Sequence, residues 1–263
     1  MNRHIGMIKP PSAIATQLAA FASVAWSLFI AASVLFGIVV TCEIGDAQIV
    51  EWIAGPAARA AAAAMLHGLD AAWIVLAGIN TYFHLAGAEG LATARRWSAV
   101  VLLTTGAAAW IDARSGWPFG SVVFTSTLGP RIGHVPLALP LLWFVVVLNS
   151  RYTFLRICPR ASHWQLALGS AALTLLSDLN LEPVAWKMRA WWLWHPLAPN
   201  ATAWPPWQNY LSWFALSFAL MGCLRETRQL VLRHGSDRRP MAIFCTLNAV
   251  LLAANVSRLW RMA

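Results

Sequence analysis

Charge is scarce in this chain. Asp, Glu, Lys and Arg make up 11% of its 263 residues, against the roughly 25% of a soluble domain. Lysine is almost missing, with Lys9 and Lys187 the two in the sequence. So few ionic groups cannot cover a water-soluble surface, and a composition 59% apolar with a mean hydropathy of +0.59 excludes a disordered chain. Cysteine is sparse as well. Cys42, Cys158, Cys223 and Cys245 are widely scattered with no Cys-x-x-Cys spacing, which excludes a disulfide-stapled secreted domain and leads us to expect buried free thiols. The net charge of +9 is spread over short segments between apolar runs, not gathered on one face, so a nucleic-acid partner is excluded. What remains is an integral membrane protein.

Crossing the hydrocarbon takes about 20 mainly apolar residues in a helix, and apart from closed barrels only helices satisfy their own backbone there. Runs of that kind lie at about 14–41, 62–87, 97–113, 135–150, 163–181, 208–225 and 240–259. The expected fold is all-α: a polytopic transmembrane helical bundle of about seven spans, one membrane domain over residues 1–263, with a tryptophan-rich interfacial helix added. Arg3 and Lys9 precede the first run, but its apolar stretch is about twice a signal-peptide core and no Ala-x-Ala site follows, so it is read as an anchor. With the N-terminus in the cytoplasm, that side receives Arg3, Lys9, Arg95, Arg96, Arg151, Arg156, Arg160, Arg225, Arg228, Arg233, Arg238 and Arg239. The other side receives Arg59, Arg114, Arg131, Lys187, Arg189, Arg258 and Arg261. The positive-inside rule favours this orientation in the cell membrane.

Under that arrangement the links between the third and fourth runs and between the fifth and sixth emerge on one face. The first link, from Ser115 to Ser121 and on from Leu128 to Pro136, is dense in glycine and proline, which dictates fixed turns. The second, from Asp178 to Trp213, holds Trp186, Trp191, Trp192, Trp194, Trp204, Trp207 and Trp213 out of 16 tryptophans in the chain. An aromatic belt at the headgroups explains about half of the 16, Trp97 and Trp260 among them. Positions 186, 191, 192 and 194 would cover most of a short helix lying over a cavity. Their faces suit a long apolar ligand and a passing carbocation.

Acids inside spans are costly and therefore candidates for function. Asp70 shares a helix face with His67 and Trp73; Asp112 ends the third run; Asp178 and Glu182, four apart, stack on one face at the end of the fifth. Glu43 and Asp46 only solvate the end of the first. Asp178 and Glu182 either meet water, or pair with Lys187 and Arg189, or form a carboxyl pair at an apolar boundary. In the last case one of them is expected to hold a proton and to act as a general acid. For Asp70 with His67, and for Asn80 and His84, interhelical hydrogen bonding is the competing expectation. His134, His163, His195 and His234 sit near span ends without facing one another, so no metal or haem site is expected.

Three segments carry a resemblance. Gly116-Trp-Pro118-Phe119-Gly120 is followed by Leu128-Gly-Pro130, Val135-Pro136 and Trp143; Asp178-Leu-Asn-Leu-Glu182-Pro183 is followed by Trp192 and Trp194; and Pro206-Trp-Gln-Asn209 leads to Trp213. Over roughly residues 109–213 the chain resembles the membrane carotenoid biosynthesis family that includes the carotenoid 1,2-hydratases of the bisanhydrobacterioruberin hydratase and gamma-carotene 1'-hydroxylase type. It departs in having Glu182 for the second Asp, Val122 and Phe124 for tyrosines, Ser212 for a glycine, and Ala109 where a glutamate is expected, with Asp112 the nearest acid.

The resemblance implies hydration of a psi-ended carotenoid or another long polyprenoid drawn from the lipid bilayer. C2 of the terminal double bond is protonated, a tertiary cation forms at C1, and water adds there, with no redox cofactor. It further implies Asp178 or Glu182 as proton donor with its partner orienting water; Asp112 and Asp70 stand as further candidate acids by their place in the spans, and the motifs together with the tryptophan cluster give an expected substrate site of Pro118, Phe119, Gly120, Trp186, Trp192, Trp194, Asn209 and Trp213. Homo-oligomerisation is left open. Two other readings of the same residues are a proton-coupled transporter with a path through Asp70, His67, Asp178 and Glu182, and a non-catalytic membrane scaffold.

Overall fold

Helices coincide with the apolar runs in the computed structural model, which describes residues 13–44, 53, 55–194, 205–224 and 237–263. Arg3, Lys9, Asp46, His195, Trp204, Arg225, Arg228, Arg233 and His234 lie outside the described residues. In chain order the helices are α1 (Ala13–Thr41), α2 (Pro56–Glu89), α3 (Leu91–Ser115), α4 (Ala138–Ile157), α5 (His163–Glu182), α6 (Trp207–Cys223) and α7 (Arg239–Met262). Among the described residues, α1, α2, α4 and α7 each contain a stretch long and apolar enough to cross a membrane. Phe21, Val24, Leu28 and Val34 of α1, Leu168 and Leu176 of α5, and Leu252 and Val256 of α7 point outward. Such an apolar exterior belongs in lipid. The chain is a multi-pass membrane protein.

Local signals explain where the helices start and stop. Pro56 and Pro240 occupy first-turn positions, where the missing N–H costs nothing. Ser162 and Gln165 form a capping box at the start of α5. Gly116 ends α3 in the left-handed region, φ +68°, with its N–H donated to the Asp112 carbonyl.

Helix α4, apolar from Ala138 to Leu148, forms the centre, packed against α2, α3, α5 and α7, with Trp143 to Arg151 buried throughout. Helix α1 packs on α2 and α7, and α6 on α5. Asn80 reaches the Ala25 carbonyl of α1, and Asn149 reaches Thr81 of α2, so interhelical hydrogen bonds tie the bundle as expected. His84 pairs with Asp237 at 2.8 Å.

Two short antiparallel ribbons complete the structure. Strand β1 (Val122–Phe124) pairs with β4 (Trp192–Trp194), and β2 (Arg131–Ile132) with β3 (Val135–Pro136). Here the structure corrects the sequence reading. No tryptophan-rich helix covers 186–194. After Pro183 the chain widens into a single π-helical stretch, Pro183–Met188, then breaks at Ala190 (φ +49°) and runs extended. The physical reason is pairing: edge strand β1 supplies partners for the backbone of Trp192 to Trp194, and an extended chain places both rings on one face, a period of two that a helix cannot give.

Two smaller corrections follow. The four cysteines are exposed on the outer surface or at helix ends, because the buried stripes of their helices are taken by larger side chains and polar ties. Trp97 is not a belt residue. It is 2% exposed, inside the bundle, with the Arg151 guanidinium 5.2 Å over its ring, whereas Trp260 is fully outward as expected.

Candidate active site

The C-terminal ends of α3 and α5 and the N-terminal ends of α4 and α6 converge on one face, and the link after α3 and the Trp192–Trp194 strand fold over them. The link after α3 is pinned from two sides. Asp112 Oδ1 accepts the backbone N–H of Phe119 at 2.7 Å and of Gly120 at 3.0 Å. From α6, Ser212 donates its hydroxyl to the Pro118 carbonyl at 2.7 Å, and Gln208 donates to the Gly116 carbonyl at 3.3 Å. Gly120 sits at φ +119°, and a Cβ there would overlap Pro206, so only glycine lets the turn approach α6 this closely.

Beneath this turn the two carboxyls of α5 are buried, with Asp178 0% and Glu182 1% exposed. One side chain joins them. Asn209 Nδ2 donates to Asp178 Oδ2 at 3.2 Å and to Glu182 Oε1 at 2.9 Å. Glu182 Oε2 also accepts the indole N–H groups of Trp192 at 3.3 Å and Trp194 at 3.2 Å. The pair is therefore shielded from bulk water and makes no salt bridge to Lys187 or Arg189. Two buried carboxyl oxygens lack partners among the described residues: Asp112 Oδ2 and Asp178 Oδ1.

Asp112 and Glu182 both line a cavity of about 30 Å³, by a measure in which one water needs roughly 10–15 Å³. Its walls are otherwise apolar: Ala109, Phe119, Val122, Phe124, Leu139, Trp143, Trp192, Trp194 and Trp213, with Asn209 the remaining polar group. Trp143 and Trp213 stack at 3.7 Å between ring centroids, and Phe119 tilts against Trp143 at 5.7 Å. Phe124 is the partly exposed member of the lining. An aromatic chamber with two carboxyls and room for water suits acid–base chemistry on an apolar substrate.

Of the residues singled out in the sequence, Asp112, Phe119, Glu182, Trp192, Trp194, Asn209 and Trp213 meet at this cavity. Asp178, Pro118 and Gly120 stand directly behind them. Asp70 and Trp186 do not reach it. Asp70, 0% exposed, binds Arg189 through contacts of 3.0 and 3.1 Å and accepts the Trp191 indole N–H at 2.7 Å, while His67 on the same helix faces outward. Trp186 lies under the Lys187 ammonium on the far side of the π-helical stretch. Val122 and Phe124, visible in the sequence only as departures from the family pattern, prove to be wall residues. The Arg189–Asp70 tie carried no sequence signal, its partners being 119 residues apart.

The family model described as "Carotenoid biosynthesis protein" matches residues 69–262, and these include every helix that builds the cavity. The chain belongs to the carotenoid biosynthesis protein family. It is 34% identical over 106 residues to the bisanhydrobacterioruberin hydratase of Haloarcula japonica, a match covering 39% of this chain and 35% of that protein. No solved structure matches the chain.

Proposed function

We propose that this family member is a carotenoid hydratase that adds water across the terminal C1–C2 double bond of a psi-ended carotenoid. One observation carries the reading: buried carboxyls, Asp112 and Glu182 with Asp178 behind, border a tryptophan-walled cavity that holds water-sized space and little more. Hydration of an unactivated trisubstituted alkene needs those parts. A carboxylic acid delivers a proton to C2, π-faces stabilise the tertiary cation at C1, and a confined water adds at C1 and returns a proton to a carboxylate. Hydrogen and hydroxyl are added with no net transfer of electrons, so the carboxyls suffice for the bookkeeping of protons. The rest of the polyene lies among the apolar helices and the surrounding bilayer. With the N-terminus in the cytoplasm, the site opens at the outer face of the cell membrane.

The test is expression in a host accumulating lycopene. The expected product is a more polar pigment one water heavier per reacted end. Absence of such a product from any psi-ended carotene, with the folded protein present in the membrane, refutes the proposal.

A further inference from the structure

The three buried acids are not equivalent, and their hydrogen bonds divide the work between them. Glu182 meets donors on both oxygens: two indole N–H groups on Oε2 and the Asn209 amide on Oε1. Asp178 meets the same amide and does not line the cavity. Asp112 is arranged differently. Its side chain lines the cavity, its Oδ1 accepts two backbone N–H groups, and its Oδ2 has no partner among the described residues. A proton on Oδ2 leaves both backbone bonds to Oδ1 intact and is the one these bonds leave free to transfer. Glu182, held by three donors, is set up to receive a proton and not to give one.

We propose, on the basis of the hydration reading above, that Asp112 is the catalytic acid and Glu182 the catalytic base, with Asn209 and Asp178 positioning Glu182. In the forward step the Oδ2–H bond of Asp112 breaks, its proton forms a new C–H bond at C2, and the π pair of C1=C2 is consumed, leaving the cation at C1. Water forms the C1–O bond and gives a proton to Glu182. Asp112 is then a carboxylate and Glu182 a carboxylic acid, and transfer of that proton through a cavity water restores the starting state. No oxidant or reductant is involved.

Asp112→Asn separates this role from the structural one, because the amide oxygen still accepts from Phe119 and Gly120 while the unpartnered oxygen becomes a non-acidic NH2. The experiment incubates membranes holding wild type, Asp112→Asn, Asp112→Glu or Glu182→Gln with lycopene in D2O. Both the hydrated product and deuterium at C2 of recovered substrate are measured. Asp112→Asn should lose both by at least about 100-fold, in line with general-acid contributions, with a melting temperature within about 2 °C of wild type. Asp112→Glu should restore part of each. Glu182→Gln should lose hydration yet retain deuterium exchange, since the cation still forms and collapses back through Asp112. Exchange that persists in Asp112→Asn, or that vanishes in a folded Glu182→Gln protein, overturns the assignment while leaving hydration standing. A wild type that neither hydrates nor exchanges overturns the hydration reading, and this assignment with it.

Discussion

Replacing Asp70 with Asn tests whether the Arg189 tie holds the tryptophan strand in place. Asp70 is 0% exposed and the Arg189 side chain 16%, and their contacts of 3.0 and 3.1 Å are joined by the Trp191 indole N–H at 2.7 Å. Removing one member of a buried ion pair costs about 3–5 kcal/mol, because the other charge is left without compensation. Arg189 keeps some water, and Asn retains one acceptor, so the lower end, about 3 kcal/mol, applies. For a chain of this size that is a fall of roughly 6–12 °C in Tm. Thermal unfolding in detergent, followed by the intrinsic fluorescence of the 16 tryptophans, reads it directly. A cycle with Arg189→Met gives the decisive comparison. The double variant buries no lone charge and should be more stable than Arg189→Met alone, with a coupling of about 2 kcal/mol or more. An Asp70→Asn shift below about 2 °C, or strictly additive costs across the cycle, refutes the reasoning.

Two further outcomes are expected. Gly120→Ala forces a side chain into the left-handed region and against Pro206; it should cost about 2–4 kcal/mol and lower hydratase activity with it, read as Tm and initial rate on the same membrane preparation. Asp237, at the N-terminal end of α7, is held down to about 2 by the hydrogen bond from His84, helped by the Arg239 backbone N–H and charge, against an ordinary 3.8. A carboxyl lowered on folding stabilises above its unfolded value and loses that contribution as pH falls toward the folded one. Asp237→Asn should therefore be less stable than wild type at neutral pH, by about 1 kcal/mol after allowance for its partial exposure. The gap should close between about pH 4 and pH 2; a constant gap across that window contradicts the assignment.

The bundle was legible because helices are written locally. Apolar runs of the right length marked α1 to α7, glycine and proline marked the turns after α3, and the four-residue spacing of Asp178 and Glu182 placed both acids on one helix face. Asn209 and the Pro118-Phe119-Gly120 turn were legible through the family motif. Features made by distant pairing were not. The extended course of Trp192 to Trp194 depends on Val122 to Phe124, some 70 residues away in sequence, and nothing local distinguishes tryptophans arrayed on a helix from tryptophans alternating along a strand. Likewise Asp70 reads as the companion of His67 on its helix face until Arg189 meets it, and Trp97 reads as a belt residue until Arg151 covers its ring.

The β1–β4 ribbon makes the chamber sensitive to parity. Val122 faces Trp194 and Phe124 faces Trp192, with Val123 and Leu193 turned the other way. A slip of one residue in this pairing would exchange inward for outward rings, presenting Leu193 to Glu182 in place of two indoles. Length changes within these two strands are thus tolerated only in steps of two, a constraint on how relatives can diverge that resides in counting and not in residue identity.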